Sequence, residues 1–142
     1  MTGWLLDTNI LSELRRVRPE PKVVSFISAQ PLDNLFVSAV TFAEIRFDIE
    51  LIEDIHKRAS LSDWLNLQLR PMFENRVLPI SEDIMFKWQL LVEEGRKSGR
   101  TFPQPDLIIA ATALHHGLTI VSRDTGGYAK TSVALVNPWQ AE

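Results

Sequence analysis

Short apolar runs, each closed by residues that cap or turn, alternate along this chain with stretches whose apolar residues recur at helical spacing. That alternation constrains the fold most strongly, because strands separated by helices pair in parallel and bury both faces of their sheet. The first run is Trp4-Leu5-Leu6, closed by Asp7-Thr8-Asn9-Ile10. Leu35-Phe36-Val37-Ser38-Ala39, Val77-Leu78-Pro79-Ile80, Leu118-Thr119-Ile120-Val121 and Val133-Ala134-Leu135-Val136 follow it. The pattern predicts a three-layer α/β/α architecture around a central, mainly parallel sheet of about four or five short strands.

Between the strands, Thr8 to Arg15 predicts a helix with Ile10, Leu11 and Leu14 inward, and a second runs from about Lys22 to Ala29. The stretch from Thr41 to Ile52 carries Phe42, Ile45, Ile49 and Ile52 on one face. Ser60 to Phe73 carries Leu61, Leu65, Leu69 and Met72, and the two helices are expected to form an antiparallel pair. Ser81 with Glu82 and Asp83 opens a helix whose inward face is Ile84, Trp88, Leu91 and Val92, loosened at Gly95 and Gly99. The helix from Asp106 to His116 is apolar nearly all round, which predicts burial.

The 142 residues contain no linker or repeat, so one domain spanning residues 1–142 is expected, large enough to bury about 70% of its unfolded surface. No apolar run reaches the roughly 18 residues of a membrane span, and the N-terminus has no basic region before an apolar core. A cytoplasmic protein is expected. The absence of cysteine excludes disulfides, thiolate metal sites and cysteine nucleophiles. A net charge of −3 argues against a general basic nucleic-acid binder. Setting aside four acids that could hold a metal, however, leaves 15 basic residues against 14 acidic ones.

Those four acids are distinguished by position. Asp7 ends the first strand, Glu44 lies one turn into the helix after the second, Asp106 opens the buried helix, and Asp124 follows the fourth strand. In a parallel sheet the strand ends coincide, so Asp7, Glu44 and Asp124 should converge on the carboxyl edge, where open α/β sheets bind ligands. Asp106, leading a helix packed on that sheet, can reach the same place. Each acid alone has an ordinary explanation. Asp7 can cap its helix, Thr41-x-x-Glu44 matches a capping box, Asp106 suits a helix N-terminus, and Asp124 before Thr-Gly-Gly suits a turn. Capping does not explain four acids at one edge. Carboxylates so placed repel one another and are tolerable with a divalent cation among them. With no Cys, and His56, His115 and His116 read as surface or packing residues, that ion would be hard and oxygen-bound, Mg²⁺ or Mn²⁺. Such an ion suits phosphoryl chemistry.

With these residues assembled, the chain resembles the PIN-domain family, specifically the VapC- and FitB-like toxins of bacterial type II toxin–antitoxin pairs. The resemblance rests on Leu5-Leu6-Asp7-Thr8-Asn9-Ile10, Ser38-Ala39-Val40-Thr41-Phe42-Ala43-Glu44-Ile45, Pro105-Asp106-Leu107-Ile108-Ile109-Ala110-Ala111-Thr112-Ala113 and Val121-Ser122-Arg123-Asp124-Thr125-Gly126. The ending Val136-Asn137-Pro138-Trp139 also resembles that family. It implies a PIN-like fold and a metal-dependent endoribonuclease. By likeness, Asp7 and Asp106 are the principal Mg²⁺ (or Mn²⁺) ligands, Glu44 completes the cluster directly or through water, and Asp124 is the fourth acid. Asn9, Ser38 and Ser122 would orient water, carboxylate or phosphate. Many relatives carry Asn after the arginine of the last motif and Asp three residues later, whereas this chain has Asp124 and then Gly127.

The implied reaction is hydrolysis of an RNA phosphodiester by in-line attack of water, with Glu44 or Asp124 assisting, leaving 5′-phosphate and 3′-hydroxyl ends. Arg15, Arg16, Arg18, Lys97 and Arg100 are candidates for phosphate contact. The resemblance further implies a cognate VapB/FitA-like antitoxin that places an arginine among the carboxylates and an apolar helix on the pair Thr41–Ile52 and Ser60–Phe73. It implies a homodimer, and binding of operator DNA only through the antitoxin. A haloacid-dehalogenase-type phosphatase is the rival enzyme, but it wants a second Asp where this chain has Asn9. A receiver domain wants an acidic pair at the first strand and a central phosphoacceptor. The non-enzymatic alternative is a PIN-like scaffold that acts only in a toxin–antitoxin DNA complex, which gives no reason to hold four acids together.

Overall fold

The structure, a computed structural model, describes residues 3–99, 104–128 and 131–140. Five strands, β1 (Trp4–Leu6), β2 (Leu35–Ser38), β3 (Val77–Leu78), β4 (Thr119–Val121) and β5 (Leu135–Val136), form one sheet in the order β3-β2-β1-β4-β5. Every neighbouring pair is parallel. The order reverses at β1, whose residues Trp4, Leu5 and Leu6 pair with Thr119, Ile120 and Val121 on one side. Trp4 and Leu5 pair with Leu35 and Phe36 on the other.

Side chains alternate across the sheet, and this builds two cores. Leu6, Val37 and Val121 face α1 (Thr8–Arg15), α2 (Pro21–Ser28), α3 (Ala39–Glu50) and the segment beginning with α4 (Ile55–Asp63). Leu5 and Ile120 face α6 (Glu82–Lys97) and α7 (Gln104–His116), where Leu107, Ile109, Ala110, Ala111 and Ala113 are buried. The small residues of α7 let it lie close to the sheet, so the first residues of α7 come up at the sheet's carboxyl edge. No helix among the described residues is long and apolar enough to cross a membrane.

Several boundaries differ from the sequence reading for identifiable reasons. Ser38 caps α3 by accepting from the Val40 amide at 3.1 Å, so the helix starts at Ala39, ahead of the expected capping box. Thr41 is therefore inside the helix, its buried Oγ1 without a hydrogen-bond partner among the described residues. The fourth helix starts early because Asp54 accepts from the His56 and Lys57 amides. It then widens into a π-helical stretch, Trp64–Leu69, before α5 (Arg70–Met72). That widening rotates the apolar stripe: Leu65, Leu69 and Phe73 are buried, and Met72 is exposed. Val92 is also exposed, and Gly95 takes the buried place on α6, which continues through it to Lys97. The short α8 (Thr125–Tyr128) was not expected, because Thr-Gly-Gly reads as a turn.

Candidate active site

Asp7 sits where β1 becomes α1. Its amide still follows the sheet, donating to the Val121 carbonyl at 3.0 Å. Its carboxylate is buried, 6% exposed. Oδ1 accepts from the Thr8 amide at 2.8 Å, which is the expected helix cap. Oδ2 accepts from the Ser122 hydroxyl at 2.8 Å and from the Tyr128 hydroxyl at 3.0 Å. Ser122 Oγ in turn accepts from Asn9 Nδ2 at 3.1 Å and from the Asp124 amide at 3.0 Å. With two donors pointing at Ser122 Oγ, its single proton is directed to Asp7. Asn9 Oδ1 accepts from the Arg123 amide at 3.1 Å, tying the loop after β4 to the start of α1.

The other three acids are held more loosely. Glu44, one turn into α3, accepts from the Thr8 hydroxyl at 3.2 Å and not through a capping box. Burial, and then the charges of Asp7 and Asp106, push the Glu44 carboxyl above the usual range. Asp106, in the first turn of α7, is pushed up to about 6, first by burial and then by the charges of Asp7 and Asp124. Asp124 Oδ1 accepts from the Gly127 amide at 3.1 Å. Gly127 explains how closely two of the acids approach. A Cβ at that position would stand 2.7 Å from Asp106 Oδ2 and 2.8 Å from Asp124 Oδ2.

All four acids line one open cleft of about 570 Å³, together with Thr8, Asn9, Ser12, Glu13, Arg16, Arg123 and Trp139. Two cations form its rim. Arg16 pairs with the buried Glu13 at 3.2 Å, and the Arg123 guanidinium lies 5.1 Å from the Trp139 ring centre. Glu13 is held below the usual carboxylate range, chiefly by the Glu20 amide and also by Arg16. Among the described residues no ion pair neutralises Asp7, Glu44, Asp106 or Asp124. Among the described residues, no three of these acids stand close enough together to hold a metal ion without side-chain movement. The donor set nonetheless fits a hard cation: its ligands are oxygens only and unneutralised, with Glu44 and Asp106 raised in pKa by burial and then by neighbouring charge.

Of the other sequence candidates, Asn9 donates to Ser122, which donates to Asp7, and Arg16 reaches the cleft. Ser38 does not line it; its hydroxyl caps α3. Arg15 lies on a neighbouring groove, 5.7 Å from the Trp64 ring centre. Arg18 and Lys97 do not line the cleft, and Arg100 lies outside the described residues. Sequence reasoning missed Tyr128, Thr8 and Arg123. Arg123 stood inside a quoted motif and could have been found there, whereas Tyr128 gave no signal beyond being an aromatic residue after a turn.

The PIN domain family pattern matches residues 4–133. Toxin FitB of Neisseria gonorrhoeae is 35% identical over 95% of this chain and 97% of its own length. VapC ribonuclease Y4jK of Sinorhizobium fredii is 33% identical over 96% of this chain and 97% of its own. The crystal structure of FitAcB from Neisseria gonorrhoeae superposes with a TM-score of 0.90 at 34% identity, covering 97% of this chain and 99% of that one.

Proposed function

The chain belongs to the PIN-domain family, and from that membership we propose that it is the ribonuclease toxin of a toxin–antitoxin pair. The observation that carries the reading is the convergence of four unneutralised acids from separate elements on one cleft at the sheet's carboxyl edge. Relatives of matching length are named as a toxin and as a ribonuclease, in support of the same reading.

Asp7 and Asp106, with Glu44 and Asp124, would hold Mg²⁺ or Mn²⁺. Such an ion supplies charge neutralisation at the phosphate and a lowered pKa for water. The remaining work falls to the chain. Asp7 is fixed by Ser122 and Tyr128 and gives the site its reference point. Glu44, raised in pKa and bonded at Oε1 to Thr8, is placed to take the proton of the attacking water. Arg16 and Arg123 on the rim meet phosphates of the RNA strand. Attack in line with the leaving oxygen yields 5′-phosphate and 3′-hydroxyl fragments.

The cognate antitoxin, of the VapB/FitA kind, would present an arginine to the same carboxylates in place of the cation. Its apolar helix would lie on the groove of Ile45, Ile49, Ile52, Leu61 and Trp64 between α3 and α4. Operator DNA would be bound through that antitoxin, by a homodimer of this chain acting in the cytoplasm.

Cleavage of total RNA by antitoxin-free protein tests the reading. Cuts at a few mapped sites are expected with Mg²⁺ or Mn²⁺, abolished by EDTA and reduced more than about a hundredfold in Asp7→Asn. Equal cleavage by wild type and Asp7→Asn would refute it. A wild type that binds metal without cleaving would transfer support to a partner-binding scaffold.

A further inference from the structure

Tyr128 is the chain's single tyrosine, and it is 1% exposed. Its ring packs in the core formed by Leu5, Ile84, Ala110 and Ile120, where a phenylalanine ring would serve equally well. The hydroxyl therefore needs its own account. It lies 3.0 Å from Asp7 Oδ2, and because an ionised carboxylate only accepts, the phenol is the donor.

A carboxylate has about four lone-pair positions, two on each oxygen. On Asp7 the protein fills two on Oδ2, from Ser122 and Tyr128, and one on Oδ1, from Thr8. We propose, on the metallonuclease reading given above, that Tyr128 is a positioning residue for Asp7. With Ser122 it closes Oδ2, so that Asp7 offers a divalent cation one oxygen, Oδ1, at a fixed place. The same residue anchors the turn that carries Asp124. Its carbonyl accepts from the Thr131 amide at 2.9 Å and hydroxyl at 2.6 Å, which pins the end of α8 while its ring oxygen holds Asp7. Without the phenol, Oδ2 has a free lone pair open to a cation, and only Ser122 and the Thr8 amide hold the carboxylate's orientation.

The test is Mn²⁺ binding to RNA-free protein, measured by calorimetry on wild type, Tyr128→Phe and Trp88→Phe. Trp88 packs against the same core, and among the described residues it makes no bond to the acids and its Nε1 has no partner. Tyr128→Phe is expected to bind Mn²⁺ about tenfold more weakly, as outer-shell losses commonly do, and Trp88→Phe like wild type. In cleavage assays the Tyr128→Phe defect should appear in the metal concentration giving half-maximal rate and recover at saturating Mg²⁺. Equal Mn²⁺ affinity in wild type and Tyr128→Phe would overturn the positioning role while leaving the nuclease reading intact. A wild type that binds no Mn²⁺ would overturn both.

Should Tyr128→Phe fail to fold, wild-type protein labelled with carbon-13 at tyrosine Cζ decides the question, since it has one such resonance. That resonance is expected to shift as Mg²⁺ binds, and not to shift in Asp7→Asn. Indifference to Mg²⁺ in the wild type would overturn the role.

Discussion

The acidic cleft has two halves that the chain treats in opposite ways. Around Asp7, hydrogen bonds from Thr8, Ser122 and Tyr128 converge on one buried carboxylate, and Asn9 ties the surrounding loops together. Across the cleft, Glu44, Asp106 and Asp124 stand less buried and more thinly bonded, and Glu44 and Asp106 are raised in pKa by burial and by neighbouring charge. A buried carboxylate with three of its about four acceptor positions filled is stabilised mainly by the protein itself. Carboxylates left to repel one another are stabilised by whatever enters the cleft. The first half is scaffold built into the fold; the second is a charge deficit waiting for a cation or an arginine.

The largest test of this division is to fill the deficit. Mn²⁺ at a hundredfold excess over its Kd should stabilise the folded chain by about 3 kcal/mol. For a domain of this size that is a rise of several degrees in Tm, measurable by calorimetry or circular dichroism. The rise should vanish in Asp106→Asn. A metal-free wild type as stable as the loaded one would mean that the loose half carries no deficit.

A smaller effect follows from pH. The Asp106 carboxyl is raised from 3.8 to about 6 in the folded protein, so the folded state holds this proton more tightly than the unfolded chain. The stabilisation is fully present below about pH 4 and is lost as pH rises through about 6. Metal-free protein should therefore lose about 1–2 kcal/mol between these limits, after allowance for solvent screening at a half-buried group. Chemical denaturation across that range should show the slope in wild type and a flatter line in Asp106→Asn. The same slope in both would place the loss elsewhere.

The sequence made the ordered half partly visible and the loose half visible only as positions. Asp7 was legible because it immediately follows a strand, and a parallel sheet brings strand ends to one edge whatever the side-chain details. Asn9 and Ser122 came only through the motifs the chain shares with its family. The parallel layers followed from the same alternation of apolar runs with helices. What stayed hidden depended on competition between local signals or on distant partners. The sequence showed only the helix start at Thr41-x-x-Glu44; the structure caps the helix with Ser38 instead, and Glu44 bonds Thr8 across the cleft. The π-helical stretch Trp64–Leu69 moved Met72 outward, against a stripe drawn at regular helical spacing. Tyr128 lies 121 residues from Asp7 and follows a Gly-Gly pair that disfavours helix, so no local pattern marks its hydroxyl.

The finest test leaves every acid in place and changes only their spacing. Gly127 lies in α8, and the Cβ of Gly127→Ala would come within 2.8 Å of carboxylate oxygens from both Asp106 and Asp124. These are the free ends of side chains, so the two groups can swing apart and the fold should survive. The backbone change itself is worth less than about 1 kcal/mol, since alanine is the better helix former. Two effects of opposite sign should follow. Parting the carboxylates relieves repulsion, so the metal-free variant should equal or exceed wild type in stability near neutral pH. The Asp106 carboxyl should then titrate lower, read by carbon-13 NMR of its side chain. Cation affinity should fall by roughly tenfold, because the oxygens no longer flank one point. Tyr128→Phe weakens the cation from the ordered half, where it also removes a bond the fold uses. If Gly127→Ala instead lowers stability and leaves both the Asp106 titration and Mn²⁺ affinity unchanged, the glycine serves packing alone, and the division between the two halves is drawn in the wrong place.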